Sequence, residues 1–309
     1  MQSITNRPFQ SEDDFWKIRN LLIETYLSTP PGLNWEVRRW DGQRYHNDVL
    51  DQFDDWQKTV RLWETAGGDL VGAVHLEGRK GAAFLELHPN YRHRIETEMI
   101  AWAEENLTEL VPESDQRQLH IDVLEYDIPR RLLLEQRGYE KQPWGGVLRR
   151  LRFGQKPLDK AEIAAGYTLR CTRADDLADA QRVADLLNAA FNRDFHTGQE
   201  VQNFWQNAPC YRNELDLVAE APDGTFGAYV GIALEDTDHY AIVEPVCTHP
   251  DHRRKGLART LILEGLARAQ ATGAVDAYVG TGDDPGANRL YDGVGFTEAY
   301  KEYAWRKIW

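Results

Sequence analysis

An internal repeat constrains this 309-residue chain more than any other feature, because a sequence that carries the same motifs twice folds most simply as two related domains. Four short motifs of the N-terminal half recur in the C-terminal half in the same order and at nearly constant displacement. Each motif is common on its own, so the inference depends on their shared order and spacing. The repeated motifs are His88-Pro89 and His249-Pro250, the arginines that follow them (Arg92 and Arg253), Gly138-Tyr139 and Gly295-Phe296, and Arg7 or Arg170 followed by Glu12-Asp13-Asp14 or Asp175-Asp176.

The chain is long enough for two domains of ordinary size. Between the two copies, residues 153–160 are polar and include Gly154 and Pro157, a composition typical of a linker. We therefore predict an N-terminal domain at 1–153, a linker at 154–166 and a C-terminal domain at 167–309.

Hydrophobic spacing predicts mixed helices and strands in each half. In the C-terminal half, apolar residues recur at helical spacing from Asp175 to Phe191. Two strands flank a turn at 222–225, and Pro245 interrupts a third strand, which suggests a bulge there. The predicted elements are a helix at 175–191, strands at 215–219, 227–234 and 241–248, a helix at 256–272, a strand at 275–279, a helix at 286–294 and a strand at 300–306. This order predicts the α/β class with an α+β layer order.

Composition and charge limit the kinds of molecule that this protein is expected to bind. A formal charge of −14 argues against a general nucleic-acid binder and against an anionic membrane, and it mildly favours a cationic substrate. No apolar run is long enough to span a bilayer, and the first residues lack the pattern of a secretory signal. Three scattered cysteines predict neither a disulfide framework nor a metal site. These features predict a cytoplasmic protein without a metal.

The segment from Val246 to Ala258 has the composition of an anion-binding loop. A strand leads into a turn with three consecutive basic residues, and Gly256 then opens an amphipathic helix. Backbone N–H groups at a helix N-terminus lack partners within the helix and attract anions. Glycine lets an oxyanion approach the backbone, and the basic side chains suit a polyphosphate.

This loop resembles the Gln/Arg-x-x-Gly-x-Gly/Ala signature of the GNAT acyltransferase superfamily, here Arg253-x-x-Gly256-x-Ala258. A second landmark of that superfamily resembles the run from Ala287 to Phe296. The resemblance covers residues 167 to 309 well and the N-terminal half only as a faded copy. It implies two tandem GNAT domains, each with a mixed, mostly antiparallel sheet flanked by helices. It also implies acetyl-CoA as co-substrate, bound by its pyrophosphate at the basic loop.

The resemblance implies roles for particular residues. Tyr291 matches the general acid that protonates the departing thiolate, a task suited to a phenol that holds its proton at neutral pH. Glu244 is the candidate general base because it shares a strand face with Val246 and Thr248. The residues implied in cofactor binding are the backbone of Val246, Cys247 and Thr248, together with Arg253, Arg254, Lys255, Gly256, Leu257, Ala258 and Asn288.

Alternatives remain open for several of these residues. Tyr291 and Glu244 could be, respectively, a packed helix residue and a surface carboxylate. Asp238 and His239 are fallback bases. Cys247 is more consistent with a small core residue than with a nucleophile, because the superfamily transfers the acyl group directly.

The N-terminal copy lacks the same chemistry. Alignment on the His-Pro motif puts Ile95 in the place of Gly256 and Thr97 in that of Ala258, and alignment on Gly138 puts Leu134 in that of Tyr291. We therefore predict a non-catalytic N-terminal domain. Its segment 30–40 is rich in aromatics and arginine, which indicates either core packing or a recognition surface.

The sequence thus predicts an acyl-CoA-dependent N-acyltransferase that transfers acetyl from acetyl-CoA to a primary amine of a small molecule by direct attack. One alternative is a non-catalytic acyl-CoA-binding regulatory module, which would not need Tyr291. Another is a protein or peptide N-acetyltransferase.

Overall fold

A computed structural model describes residues 3–46, 54–78, 80–237 and 239–309 of the chain. In the N-terminal half the elements are β1 (Ile4–Pro8), α1 (Glu12–Tyr26), α2 (Val37–Tyr45), α3 (Asp54–Gln57), β2 (Arg61–Thr65), β3 (Leu70–His75), β4 (Phe84–Leu87), α4 (Arg92–Asn106), β5 (Glu109–Leu110), β6 (Arg117–Leu124), α5 (Ile128–Gln136), β7 (Glu140–Lys141) and β8 (Gly146–Arg152).

The C-terminal half continues with β9 (Thr168–Cys171), α6 (Leu177–Phe191), α7 (Gly198–Asn207), β10 (Asp216–Glu220), β11 (Phe226–Glu235), β12 (Tyr240–Thr248), α8 (Leu257–Ala271), β13 (Asp276–Gly282), α9 (Pro285–Val294) and β14 (Glu298–Ile308). Every element predicted for this half is present within a few residues of its expected bounds, and the mixed α/β class is confirmed. Sequence reasoning missed α7, although Thr197 and Glu200 form a capping box at its start.

The chain divides into two compact units whose bounds differ from the predicted halves. The described residues of 1–37, 51–148 and 300–309 form the first unit, and those of 38–50 and 149–299 form the second. Most of α2 therefore belongs to the second unit, and most of β14 to the first. The reason for the latter is strand pairing: residues 302–308 of β14 pair antiparallel with β6, and Trp305 is buried in the core of the first unit.

In the first unit, one sheet has the antiparallel order β1-β2-β3-β4, and β5, β6 and β14 pair in that order with β7 also on β14. In the second unit the strands run β13-β12-β11-β10-β9. All neighbours in this second set are antiparallel except β12 and β13, which are parallel. The core of the second unit lies between these strands and α8, with Leu261 and Leu266 fully buried.

Both units repeat one ion cluster between the first strand and the first helix. The Arg7 guanidinium donates hydrogen bonds to Asp14 and Glu64. In the second unit Arg170 donates in the same way to Asp179 and Glu220. The two arginines that the sequence repeat aligned are therefore equivalent in the structure.

The carboxylate partners of these arginines differ in part from the sequence alignment. The repeat aligned the acidic run 12–14 with Asp175-Asp176, whereas Asp179 is the residue that takes the place of Asp14. Asp176 instead caps α6, where its side chain accepts a hydrogen bond from the backbone N–H of Ala178. The alignment was thus correct for the arginine and wrong by a few residues for its partner in the second unit.

A second repeated detail lies at the His-Pro motif. The Nδ1 atom of His88 accepts a hydrogen bond from the backbone N–H of Asn90 at 3.3 Å, and His249 accepts one from Asp251 at the same distance. Each histidine thereby caps a short 3-10 turn whose first residue is the proline. The repeat inferred from the sequence is thus present as repeated local geometry.

The cluster at Asp179 makes a testable contribution to stability. The Asp179 side chain is fully buried, and although burial disfavours its charged form, hydrogen bonds from Arg170 and nearby arginine charges hold its pKa below the usual value. Replacement of Asp179 by Asn leaves Arg170 without its buried counter-charge, so we expect the free energy of unfolding to fall by about 3 kcal/mol. Denaturant titration at pH 7 measures this change.

The matched control is Asp185→Asn, which removes an exposed carboxylate from the same helix and is expected to change stability by about 0.5 kcal/mol or less. Because the pKa of Asp179 is lowered, its contribution is present at neutral pH and is lost as the pH falls through the folded-state pKa. A variant as stable as the wild type at pH 7 would contradict this assignment.

Candidate active site

The basic loop after β12 has the geometry of an anion cradle. A 3-10 turn at Pro250–His252 leads into Arg253, and the backbone then takes left-handed φ values of 61° at Arg254 and 75° at Gly256. Helix α8 begins directly afterwards, and no side chain caps its first turn. The N–H groups of that turn therefore point away from the helix towards the exposed basic loop.

Tyr167 organises this loop, and sequence reasoning missed it. Its hydroxyl lies 2.6 Å from Nδ1 of His252 and accepts a hydrogen bond of 2.7 Å from Nζ of Lys255. Burial and the charge of Lys255 lower the pKa of His252, so the neutral ring can accept a hydrogen bond from the Tyr167 hydroxyl. A lone tyrosine just before the strand β9 carries no motif, so no signal in the sequence marked it.

The strand that leads into the cradle parts from its parallel neighbour. Pairing between β12 and β13 ends at Ile242 and Tyr278, whereas β12 continues to Thr248 and β13 to Gly282. On its other edge β12 stays paired with β11 as far as Thr248. The pairing with β13 thus ends before residues 246–248, and the predicted role of Val246, Cys247 and Thr248 in cofactor binding stays a prediction.

A bulge interrupts β12 where the two strands part. The register between β11 and β12 shifts between Val230 and Ile232, so that Gly231 opposes Glu244 and Pro245, which are joined by a cis peptide bond. The predicted irregularity at Pro245 is confirmed. Glu244 is 46% exposed, and its carboxylate lies 3.2 Å from Nη1 of Arg38, a residue of α2 that belongs to the second unit.

Tyr291 lies on α9 and is 5% exposed. Its ring packs edge-on against Phe296 at 5.9 Å, just beyond the left-handed Gly295 that ends the helix. Burial, together with the negative charge of Glu244, raises the pKa of Tyr291 to about 12. The charge of Glu244, at the bulge of β12, thus acts on the Tyr291 hydroxyl.

The remaining predicted residues have diverse surroundings. Asn288 donates hydrogen bonds to the carbonyls of Gly282 and Asp284, and its Oδ1 accepts one from Arg149. Cys247 is buried, and this burial raises its pKa to about 12, which disfavours a nucleophilic thiolate. His239 stands at the end of β12 opposite the cradle, and Asp238 lies outside the described residues.

A buried carboxylate that the sequence analysis did not single out lies close to the bulge. Asp216, the first residue of β10, is 3% exposed and accepts hydrogen bonds from the hydroxyls of Thr172 and Tyr229. A single aspartate between two leucines at the start of a strand gives no sequence signal, because only its tertiary neighbours distinguish it from a surface residue.

The corresponding region of the first unit is filled by protein side chains. Arg92 at the start of α4 is hydrogen-bonded to Glu96 and Asp127, and Arg130 also donates to Glu96. Ile95 is buried, and its Cδ1 lies 2.7 Å from the point that a Cβ on Gly72 would occupy. The described part of this unit therefore has an internal ion cluster where the second unit has an open basic loop.

Within the described residues, every helix is too short or too polar to cross a membrane. Among the same residues, no group of three or more His, Cys, Asp or Glu side chains is arranged to hold a metal ion.

The comparisons with known proteins agree with this geometry. Residues 180–296 match the model of the acetyltransferase (GNAT) family, so this part of the chain is a GNAT domain. No curated protein matches the sequence. The family match supports acyl-CoA-dependent N-acyltransferase chemistry in general terms.

Solved structures with the same fold extend over the whole chain. A GCN5-related N-acetyltransferase from Sphaerobacter thermophilus superposes with a TM-score of 0.65 at 18% identity, covering 99% of this chain and 95% of that one. A tandem GNAT protein from the clavulanic acid biosynthesis pathway gives 0.65 at 15% identity, covering 100% and 98%. A GNAT-family acetyltransferase from Colwellia psychrerythraea gives 0.61 at 13%, covering 99% and 100%. These similarities confirm the tandem GNAT fold.

The burial of Cys247 predicts its reactivity. We expect iodoacetamide at pH 8 to alkylate the half-buried Cys171 first and to leave Cys210 and Cys247 unmodified until the protein is unfolded, because a buried thiol forms little thiolate. Peptide mass spectrometry after timed labelling gives the order. Labelling of Cys247 as fast as that of Cys171 would contradict this expectation and would favour Cys247 as a nucleophile.

Proposed function

We propose that this chain, whose residues 180–296 are a GNAT domain, transfers acetyl from acetyl-CoA to a primary amine of a small molecule by direct attack. The reaction takes place in the second unit. The observation that carries this proposal is the combination of a basic loop at the N-terminus of α8 with a strand, β12, that parts from its parallel neighbour just before that loop.

Each part of acetyl-CoA has a matching feature in this arrangement. The pyrophosphate fits the N–H groups at the start of α8 and the side chains of Arg253, Arg254 and Lys255. The pantetheine arm fits the unpaired edge of 246–248, where backbone groups can bond its amides. The thioester then lies near the bulge at Glu244, with Tyr291 beside it.

The side chains at the bulge suit direct transfer. Once the amine attacks the thioester carbon, a C–N bond forms, the C–S bond breaks, and the sulfur of coenzyme A takes the Tyr291 proton. Tyr291 keeps that proton in the resting enzyme because its pKa is about 12. Glu244 receives the proton released from the attacking nitrogen, and its exposed carboxylate passes it to solvent.

The N-terminal copy has a supporting role in this proposal. The ion cluster of Arg92, Glu96 and Arg130 occupies the position of the cradle in the first unit. Leu134, in the place of Tyr291, is fully buried and has no proton to donate. The first unit is therefore proposed to bind no acyl-CoA.

Calorimetric titration with acetyl-CoA tests the cradle. We expect one site per chain in the wild type and at least a 100-fold loss of affinity in Gly256→Glu, because the new carboxylate points to where the pyrophosphate binds. The matched control is Gly224→Glu, since Gly224 also has a left-handed φ and open space at its Cβ but lies on a hairpin turn. Two sites per chain would show that the first unit also binds, and no site would refute the proposed function.

Tyr291→Phe separates an enzyme from a non-catalytic acyl-CoA-binding module. We expect kcat for acetyl transfer to fall about 100-fold while acetyl-CoA affinity stays within a factor of about two, because the variant loses only the proton donor. Release of the coenzyme A thiol gives kcat, and calorimetry gives the affinity. Tyr126→Phe is the control, as it removes a hydroxyl from the first unit. Unchanged turnover in Tyr291→Phe would exclude the phenol as the acid.

A further inference from the structure

Asp216 lies in a small cavity of the second unit that opens beside the bulge of β12. The cavity has a volume of about 30 Å³, which is room for about two water molecules. Its walls are largely apolar and aromatic. Its lining includes Arg38, Phe204, Trp205, Asp216, Tyr229 and Glu244.

Gly231 lets Asp216 and the bulge lie close together. The point where a Cβ on Gly231 would stand is 3.1 Å from Oδ1 of Asp216 and 3.0 Å from the carbonyl oxygen of Glu244. Any side chain at this position would stand between the carboxylate and the bulge. Because residue 231 is glycine, the Asp216 carboxylate and the backbone of the bulge pack closely around it, which places the carboxylate next to the strand segment where acyl transfer is proposed.

The charged and titratable groups around Asp216 come from several elements. Tyr229 on β11 donates a hydrogen bond of 2.7 Å to Oδ1, and Tyr211, which precedes β10, interacts with its charge. Arg38 on α2 provides the nearby positive charge, and Glu244 and His46 line the same cavity. Trp205 on α7 donates in turn to the Tyr229 hydroxyl at 3.4 Å. The carboxylate is thus held in one orientation by hydroxyl donors.

We infer that Asp216 accepts a proton from the ammonium group of the acceptor, through water in this cavity, and so generates the nucleophilic amine. The inference rests on the proposed function and adds to it a second proton acceptor. Burial raises the pKa of Asp216 to about 7, while the hydrogen bonds from Thr172 and Tyr229 lower it in part. A base with a pKa near the working pH is well matched to proton removal from a bound amine.

The proton balance of the reaction is satisfied with these two carboxylates as acceptors. A primary ammonium loses two protons when it becomes an amide, and the thiolate of coenzyme A gains one. Asp216 takes the first proton before attack, and Glu244 takes the second as the C–N bond forms. Tyr291 supplies the proton to sulfur. One proton passes to solvent per turnover, and the other returns the phenol to its resting state.

The volume of about 30 Å³ is enough for relay water but not for the body of the acceptor, so only the acceptor's ammonium group approaches this cavity. Phe204 and Trp205 form its walls, and the carboxylates of Asp216 and Glu244 favour a cationic group over an anionic one. The Arg38 guanidinium is occupied by its ion pair with Glu244 and stacks over the Phe204 ring at 5.4 Å.

The test compares pH profiles of acetyl transfer to ethanolamine, butylamine and phenethylamine, with thiol release as readout. In the wild type, kcat/KM for each amine is expected to rise with pH through about 7 as Asp216 ionises. In Asp216→Asn, kcat/KM at pH 7.5 is expected to fall about 100-fold and the rise near pH 7 to disappear. Asp223→Asn, which changes an exposed turn carboxylate, is the matched control.

Tyr229→Phe gives a second, independent reading. It removes a hydrogen bond that favours the charged form of Asp216, so the rise in kcat/KM is expected to move to higher pH without being lost. A purely structural role for Asp216 would not shift the profile in this way. This variant also keeps the inference testable if Asp216→Asn fails to fold.

The outcomes separate the inference from the proposed function. Turnover in Asp216→Asn with an unchanged rate and profile overturns the inference and leaves the acyltransferase intact. Binding of acetyl-CoA without turnover of any of the three amines counts against the proposed function, and the inference then falls with it. Loss of the rise near pH 7 in Asp216→Asn, together with its shift in Tyr229→Phe, supports both.

Thermal unfolding provides a readout independent of activity. The pKa of Asp216 is raised in the folded state. The stability that its neutral form contributes is therefore fully present below the unfolded-state pKa and is lost as the pH rises through about 7. Asp216→Asn is therefore expected to unfold at a higher temperature than the wild type at pH 8, with a smaller difference at pH 5. If the difference in unfolding temperature between Asp216→Asn and the wild type did not grow from pH 5 to pH 8, the result would contradict the burial of an ionising carboxyl at this position.

Discussion

The second unit depends on the hydrogen bonds that β12 does and does not make. Strand β12 pairs with β11 along most of its length, but with β13 only as far as Ile242. A strand within a sheet needs partners on both edges, so the segment after Ile242 presents backbone groups that an extended ligand can satisfy. The bulge at Gly231 re-aims the strand at the same place, as bulges commonly do beside active sites. Both the open edge of residues 246–248 and the irregular backbone at Glu244 follow from this one departure from regular pairing.

Charged side chains of the second unit lie around the segment of β12 that is not paired with β13. One basic and two acidic side chains, Arg38, Asp216 and Glu244, line one cavity, and the charge of Glu244 acts on Tyr291. The basic loop lies at the other end of the open edge, beyond Thr248. An elongated, polyanionic co-substrate with its phosphates at the basic loop would therefore extend along the open edge of β12 towards the bulge at Glu244. The overall charge of −14 makes this basic loop a local exception on an acidic chain.

The two units share a framework of local interactions and differ at the loop that follows the His-Pro motif. Both retain the arginine that pairs two carboxylates and the histidine that caps a 3-10 turn, because these interactions stabilise the strand, helix and turn themselves. In the first unit, a helix that begins at Arg92 and includes Glu96 replaces the left-handed turn at Gly256. Ala82 and His120 also form an isolated parallel β-bridge in this unit. Stability and binding thus depend on different residues of the same motif.

By itself, the sequence determined the repeat, the order of helices and strands in the second half, the basic loop at Gly256 and the position of Tyr291 on its helix. These features are local: hydrophobic spacing, helix starts and glycine positions depend on residues near one another in the chain. The tertiary structure alone decided that Arg38 joins the second unit, that most of β14 joins the first, and that Asp216 and Tyr167 stand beside the bulge and the loop. Their roles come from contacts between residues far apart in sequence, and no local pattern records which strands will meet. The residue type alone does not show whether a carboxylate is buried or exposed, and only the packing of the folded chain decides it.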